Sequence, residues 1–526
     1  MEASAGGGDL DRISALPDDL LHVILGSLGR AKDVTRTALL SRRWRRVWIH
    51  AKALSFHDTS VMRLEDRCHL AGFVDWALAH RADADMECQR VVGYAARRVV
   101  GSFHLRLPFI VPTVFDVKTG QLVSPGRPVV ELPSHGRPTS ISLDLRSHRL
   151  LIAPPAAAAR YESLTELRLH VTRIGAEDDD GRGFGDFVSS CCPRLRRLAV
   201  SYPGGLRRLV LRVEALEELE LAWPPDLGTL DVAAPNLRVL KLSDISRHCW
   251  LPIGLDSAVN VAKAGRITAP RLQEIGMSIR FYTSIKLDIQ GLSSVRRLSD
   301  LSLEMLGRYC VDTGSLWLLA NCTSIDNVKI SLYHGRRWML DEVTDLTVQG
   351  APQFANIRSI AVEADSLSGC HLVASMSSLL LRLPLLRSLC IKLTSNRLDC
   401  WPVCCNHSLH NWNYHGKIPL EFLEEVKVTG FTGEDEVDLV SRLLESNNSI
   451  KSITLCAVAK TPDVVTLNWL MGGAEDHVVS QEEIYHKLVN ACCTDRGRWH
   501  FEGSIYTWAY YTTKNTNMKV TIANSA

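Results

Sequence analysis

The sequence predicts an α/β chain in which a small N-terminal block of three helices precedes an irregular solenoid of stacked parallel strands. Three observations predict it. Leu16 to Trp48 carries three short apolar runs at helical spacing. From Ile141 onward the six-residue pattern L-x-x-L-x-L, with Ile, Val or Met allowed, recurs in 13 copies. A chain of 526 residues also exceeds one ordinary domain unless it grows by stacking one unit on the next.

In the N-terminal block, Leu16, Leu20, Leu21, Ile24, Leu25 and Leu28 follow helical spacing behind Pro17, a residue suited to a helix start. Asp18 and Asp19 fall in the first turn, where free backbone N–H groups favour negative charge. A second run, Asp33 to Leu40, can take Asp33 as its N-cap, and a third begins at Ser41 with Trp44, Val47 and Trp48 on one side. So short a block cannot bury a strong core alone, so it leans on a partner, on the following domain, or on both.

The run L-P-D-D-L-L-x-x-I-L-x-x-L from Leu16, then Asp33-Val34, then A-L-L-S-R-R-W-R-R-V-W from Ala38, resembles the F-box. The form is the one common among plant proteins that follow it with leucine-rich repeats. The resemblance implies docking on a Skp-type adaptor of a cullin–RING ubiquitin ligase through Leu16, Pro17, Asp18, Leu20, Leu21, Ile24, Leu25, Leu28, Leu40 and Trp44.

Residues 1–11, rich in Gly and Ala, read as a disordered lead, and 12–50 as the F-box. Residues 51–138 hold entry repeats and an irregular, proline-rich insert over 108–138. In that stretch Ala53 to Asp58 and Phe103-His-Leu-Arg-Leu read as short strands and Cys68 to His80 as a helix.

The repeats proper occupy 139–399. Copies are LTELRL (164–169), LRRLAV (195–200), LRRLVL (206–211), LEELEL (216–221), LGTLDV (227–232), LRVLKL (237–242) and LQEIGM (272–277). They continue as LSDLSL (298–303), IDNVKI (325–330), IRSIAV (357–362), LRSLCI (386–391), LEEVKV (423–428) and IKSITL (450–455). Five copies from Leu195 to Leu237 start 10 or 11 residues apart, too close for a full helix between strands. Most others leave room for one, and CCPRL, ANCTSI, RLPLL and SNNSI each close such a helix before the next strand.

The leucines form the core, and a parallel sheet lines the concave face with helices and loops on the convex one. Outward positions on the sheet, Glu166, Arg168, Arg197, Arg208, Glu218, Glu220 and Lys241, are the candidate substrate contacts. Near the C-terminus, Trp412 through Gly416-Lys-Ile-Pro-Leu and on to Ile450-Lys-Ser-Ile-Thr-Leu is similar to the FBD region that accompanies F-box proteins, over 400–460. Residues 461–526, with a helix over Val479 to Cys493 and an aromatic strand over Ile505 to Tyr511, read as a cap on the open end of the sheet.

Composition narrows the function. With 60 Lys+Arg against 58 Asp+Glu, net charge makes no case for nucleic-acid or membrane-surface binding. No secretory signal is visible and no uninterrupted apolar stretch approaches a membrane span, so the chain reads as intracellular, in cytoplasm, nucleus or both. Fifteen scattered cysteines fit reduced, buried thiols. Cys400, Cys404, Cys405, His407 and His410 have zinc-like composition but no second spaced pair, so no metal or cofactor is expected. Arg42, Arg43, Arg45 and Arg46 read as the wet side of the third helix, and Asp178-Asp179-Asp180 as a solvated turn. Phosphate-loop, nucleophile-elbow and zinc-protease motifs are missing, so a non-enzymatic role is expected.

The resemblance implies a substrate-recognition subunit, with the F-box on the adaptor and the repeats on an unidentified protein. Two alternatives stay open: a repeat scaffold not engaged with a ligase, and a receptor of the same architecture gated by a small molecule.

Overall fold

The computed structural model describes residues 16–28, 31–47, 54–56, 99–106, 114–116, 121–123, 129–133, 135–152, 160–175, 182–201, 204–223, 227–244, 263–278, 285–311, 314–334, 343–365, 369–394, 418, 420–431, 436–447, 449–457, 481–491, 497–502 and 504–510. The helix expected over Cys68 to His80, Asp178-Asp179-Asp180 and the Cys400–His410 run lie outside the described residues. The chain forms two compact units, Met1–Leu272 with Ile285–Gly291, and Gln273–Ser284 with Leu292–Ala526.

The first unit opens with α1 (Asp18–Ser27), α2 (Ala31–Arg36), a 3-10 turn (Thr37–Leu39) and α3 (Trp44–Val47). Pro17 caps α1, its carbonyl accepting the N–H groups of Leu20 and Leu21. Ser41 meets its expected part, its hydroxyl accepting the Trp44 N–H at 3.4 Å. Asp33 does not cap α2. It lies inside the first turn, facing Arg36 at 3.9 Å, because the helix starts two residues earlier at Ala31.

Strands β1 (Leu54–Phe56), β2 (Ser102–Arg106), the hairpin of β3 (Val114–Asp116) and β4 (Gln121–Val123), β5 (Val129–Leu132), β6 (Ser140–Ile152) and β7 (Glu166–Ile174) follow. The proline-rich insert thus holds a hairpin and β5, which runs parallel to the far end of β6. Next come α4 (Arg182–Cys191), β8 (Arg197–Ser201), β9 (Arg208–Arg212), β10 (Glu218–Trp223), β11 (Thr229–Ala233), β12 (Val239–Asp244) and β13 (Lys263–Thr268). After β14 (Glu274–Ser278) of the other unit, β15 (Ile285–Gln290) completes the first.

These strands form two parallel ladders. One runs β1-β2-β6-β7-β8-β10-β12 and the other β9-β11-β13-β15. Consecutive close-spaced copies therefore alternate between sheets. Leu198, Leu219 and Leu240, 21 residues apart, are register partners on the first, and Leu209 and Leu230 on the second. Ten or eleven residues suffice for one strand and the crossing to the other sheet, and 21 residues return the chain to the first. Both sheets alternate buried leucines with exposed or half-buried residues, and the buried side of each faces the core between them. Within these coils the layer expected to hold helices and loops is a sheet, flanked by α4, where a Cβ on Gly185 would lie 2.5 Å from the Val210 carbonyl oxygen.

One pair of backbone motifs fixes the repeat frame. The N–H of the first apolar residue donates three residues back: Leu195 to Cys192, Leu216 to Val213, Leu237 to Ala234. The next two N–H groups share one carbonyl of the preceding repeat, as Glu217 and Glu218 do with Arg196. These bonds satisfy turn groups that the ladder alone would leave unpaired.

The second unit repeats this grammar with helices in the second layer. Its elements are β14, β16 (Arg297–Leu306), β17 (Tyr309–Val311), α5 (Ser315–Asn321), β18 (Asn327–His334), β19 (Val343–Asp345), β20 (Ser359–Asp365), α6 (Gly369–Leu380) and β21 (Ser388–Leu393). Then come β22 (Glu425–Phe431), α7 (Glu436–Ser446), β23 (Ser452–Ala457), α8 (Gln481–Ala491), β24 (Gly497–Glu502) and β25 (Ile505–Tyr510). The parallel ladder is β14-β16-β18-β20-β21-β22-β23. β25 pairs antiparallel with β23, and β24 with β25, so a hairpin closes this side of the ladder.

All 13 pattern copies fall on strands, but one was misframed. The turn bonds place the first apolar residue at Val295, not Leu298: Val295 donates to Leu292, and Arg296 and Arg297 share the Gln273 carbonyl. Leu298 pairs with Val328 while Leu301 pairs with Ile330, so one residue is bulged out between them. Asp300, in that gap, takes φ 52°, and its side chain faces Lys329 at 3.4 Å. The bulge spaced Leu298, Leu301 and Leu303 so that they imitated the repeat. Strand β13 escaped the pattern because Gly265 stands where Leu230 and Leu209 stand on the neighbouring strands, and β15, which carries Leu287 opposite Gly265 and then Ile289, because the sequence has Ser284 in place of the leading apolar residue.

Candidate functional site

Two surfaces carry the candidate residues. On the helical block, α1 divides by depth. Leu21 and Leu25 are buried with Val34, Trp44 and Val47, forming the block's interior. Pro17, Leu20, Ile24, Leu28 and Leu40 are exposed, with Leu20 at 50 % and Leu40 at 65 %. The ten residues grouped together as adaptor contacts therefore play two parts. Leu21, Leu25 and Trp44 cannot present side chains to a partner because they already fill the core, so any effect on docking is through shape. Val23, at 70 %, and Leu39, at 83 %, are exposed apolar residues that sequence reasoning left out. Val23 follows Leu20 by three residues, the helical spacing that could have flagged it.

So much apolar surface on so small a block marks an interaction face. Asp18 has a local partner: Arg43 reaches back from the turn before α3 to its carboxylate at 2.5 Å and to the Leu16 carbonyl at 2.5 Å. These bonds tie the start of α1 to the turn before α3 and hold Leu16, which is half-buried. Of the four arginines read as the wet side of the third helix, Arg42 and Arg46 are exposed, whereas Arg43 is half-buried in its contacts with Asp18 and Leu16.

The second surface is the outward side of the first unit's main sheet. Glu166 and Arg168 on β7, Arg197 on β8, Glu218 and Glu220 on β10 and Lys241 on β12 lie on successive strands of it. Arg208 does not join them. It is on β9, in the other sheet, because the close-spaced copies alternate between layers.

The remaining six form a mixed-charge field, partly self-paired. Arg168 reaches Glu166 at 2.7 Å and Arg197 reaches Glu218 at 3.2 Å. Burial alone would raise the Glu166 carboxyl, but hydrogen bonds from Arg168 and Ser140 outweigh it and hold it below the usual carboxylate range. Glu220 and Lys241 are register partners across β10 and β12. Exposed pairs of this kind are worth at most about 1 kcal/mol, so a ligand can re-partner them at small cost.

The buried cysteines behave as core: burial pushes the Cys192 thiol up, with Cys191 beside it adding to the effect. Among the described residues no cluster of three metal-ligating side chains occurs, and no helix is long and apolar enough to cross a membrane. In the second unit a cavity of about 10 Å³ lined by Leu372, Leu393, Val428, Glu436 and Leu443 has room for no more than about one water-sized group, far short of a hormone-sized ligand.

In the segment similar to the FBD region, the junction after α7 is clasped to the preceding turn. The Asn447 side chain accepts the Leu420 N–H at 2.6 Å and donates to Leu443 at 2.9 Å. Ser449 donates to the Leu423 carbonyl at 2.8 Å.

Taken together, these features define stacked parallel-strand repeats preceded by an N-terminal helical block with exposed apolar residues. Comparison with known proteins gives that block its family: residues 13–52 match the F-box domain. The chain is 29 % identical over 244 residues to F-box/LRR-repeat protein 25 of Arabidopsis thaliana, covering 45 % of this chain and 88 % of that protein. It is 24 % identical over 480 residues to an F-box/FBD/LRR-repeat protein of the same plant, covering 85 % and 90 %. A putative FBD-associated F-box protein of that plant is 28 % identical over 254 residues, covering 45 % and 56 %. The chain thus carries an F-box domain and is similar along most of its length to plant F-box/LRR-repeat proteins, including one with an FBD region.

Proposed function

We propose that this chain is the substrate-recognition subunit of a Skp–cullin–F-box ubiquitin ligase. The observation that carries the reading is the exposed apolar face of the F-box, where Leu20, Val23, Ile24, Leu39 and Leu40 stand out from a block whose own core is already filled. That face docks on a Skp-type adaptor, with Pro17 and Leu28 at its margin. The outward residues Glu166, Arg168, Arg197, Glu218, Glu220 and Lys241 contact a protein substrate through many modest contacts, a few of which dominate. The chain makes no covalent bond in this reading. It raises the effective concentration of a substrate lysine beside the charged conjugating enzyme. The boundaries 12–50, 139–399, 400–460 and 461–526 divide these labours into docking, recognition, the FBD-like segment and a cap.

The test is affinity capture from plant cells under proteasome inhibition, comparing the intact chain with a Leu20→Asp/Leu40→Asp variant. A ligase subunit brings down adaptor and cullin only when intact, and partners that accumulate on inhibition are candidate substrates. Capture of the same partners with no adaptor in either case would leave a scaffold.

A further inference from the structure

The hairpin that closes the second unit ends in a strand whose own edge invites a partner. β24 (Gly497–Glu502, G-R-W-H-F-E) pairs with β25 along one side, with Glu502 opposite Ile505, His500 opposite Thr507 and Arg498 opposite Ala509. On the other side of β25 the Tyr510 N–H donates to the Lys451 carbonyl, toward β23, so by alternation Ile505, Thr507 and Ala509 direct their backbone groups at β24, and Glu502, opposite Ile505, belongs to a hydrogen-bonded pair. By alternation, His500 and Arg498 also direct their backbone groups at β25. Trp499 and Phe501 then direct their N–H and C=O groups the other way. Among the described residues no strand meets that side. An open edge of this kind templates the addition of another strand.

The order of side chains selects the strand. We propose that the occupant is β24 of a second copy of this chain, paired antiparallel about His500 on a two-fold axis. In that register Trp499 faces Phe501 of the second copy, and these are the residues whose backbone groups point outward, so the hydrogen bonds close. Arg498 faces Glu502 of the second copy, and Glu502 its Arg498, both as close, non-hydrogen-bonded neighbours where side chains interact most. The sequence around His500 is thus antisymmetric in charge and symmetric in aromatic character, as self-pairing on a two-fold axis requires. The surface supports it: Arg498, His500, Phe501 and Glu502 are all exposed, and Phe501 stacks on Tyr506 of β25 at 4.7 Å. The contact is small, so it forms a weak dimer that two linked substrate surfaces on one target strengthen by avidity.

The charge pattern supplies a test that does not depend on one variant folding well. Full-length chain is examined by sedimentation velocity over a concentration series. The wild type shows a concentration-dependent dimer. Arg498→Glu places Glu opposite Glu at both pairs, and Glu502→Arg places Arg opposite Arg, so each variant alone has a dimer dissociation constant raised roughly tenfold or more. Mixing the two single variants restores opposite charges at both pairs, so the mixture dimerises as the wild type does. A wild type that stays monomeric at all concentrations overturns the proposal. So does a dimer indifferent to both reversals, or a mixture no more associated than its components.

Discussion

Truncating Leu230 to alanine tests the two-sheet coil directly. Leu230 is on β11, with Leu209 of β9 on one side and Gly265 of β13 on the other, and is 1 % exposed. Losing three carbons' worth of buried surface costs about 2.4 kcal/mol of transfer at roughly 0.8 kcal/mol per methylene. The cavity adds to that, and Gly265 has no side chain to lean into it, so the total should be about 3–4 kcal/mol, within the usual range for buried leucines. Because the chain comprises two units, a single melting temperature is ambiguous. Hydrogen exchange resolved by segment is the proper assay. Amides of β9, β11 and β13 should lose protection by that amount, while Arg208→Ala, on the outward side of the same sheet, changes protection by less than about 0.5 kcal/mol. A Leu230→Ala effect below about 1 kcal/mol, or one confined to β10 and β12, would refute the alternation between sheets.

Other expectations follow from the same contacts. Asn447→Ala strands the buried Leu420 N–H and should destabilise the FBD-like segment by about 1–3 kcal/mol, read as early protease cleavage near residue 447, whereas Asn447→Asp should retain the acceptor and much of the stability. Gly430 has φ 79°, and a Cβ there would collide with the Leu393 backbone, so Gly430→Ala should cost more than the ordinary Gly→Ala penalty and lower the unfolding midpoint of the second unit. Glu166 has a depressed carboxyl in the folded chain, so its contribution is present above the ordinary carboxylate range and fades as pH falls through the folded value. Acid titration should therefore destabilise the wild type more than Glu166→Gln, and parallel curves would contradict the Arg168 and Ser140 contacts.

Much of this architecture was legible because leucine spacing reports burial directly. The apolar runs that the junctions CCPRL, ANCTSI, RLPLL and SNNSI close, Phe184–Cys191, Leu316–Ala320, Leu372–Leu381 and Val437–Leu444, are α4, α5, α6 and α7 to within three residues at their ends. The close-spaced copies announced that no helix intervened, but not that the chain changed sheets, because a strand in either layer needs the same inward leucines. That is why Arg208 was grouped with residues of the opposite layer. The frame at Leu298 misled for a related reason: a one-residue bulge at Asp300 leaves apolar spacing intact while moving the register, and only hydrogen bonds reveal it. On the F-box, the motif gave the residues but not their depth. Leu20 and Leu21 are adjacent and chemically identical, yet one is half-exposed and the other fully buried, a distinction set by helix rotation against α3.

The account stands on the exposed half of that pair. Isothermal titration of a purified Skp-type adaptor into the full-length chain tests it, with Leu20→Asp/Leu40→Asp as the comparison. The account predicts one adaptor per chain and at least about a hundredfold weaker binding in the variant, with circular dichroism unchanged, since both residues face solvent. Equal binding by the two proteins would contradict it.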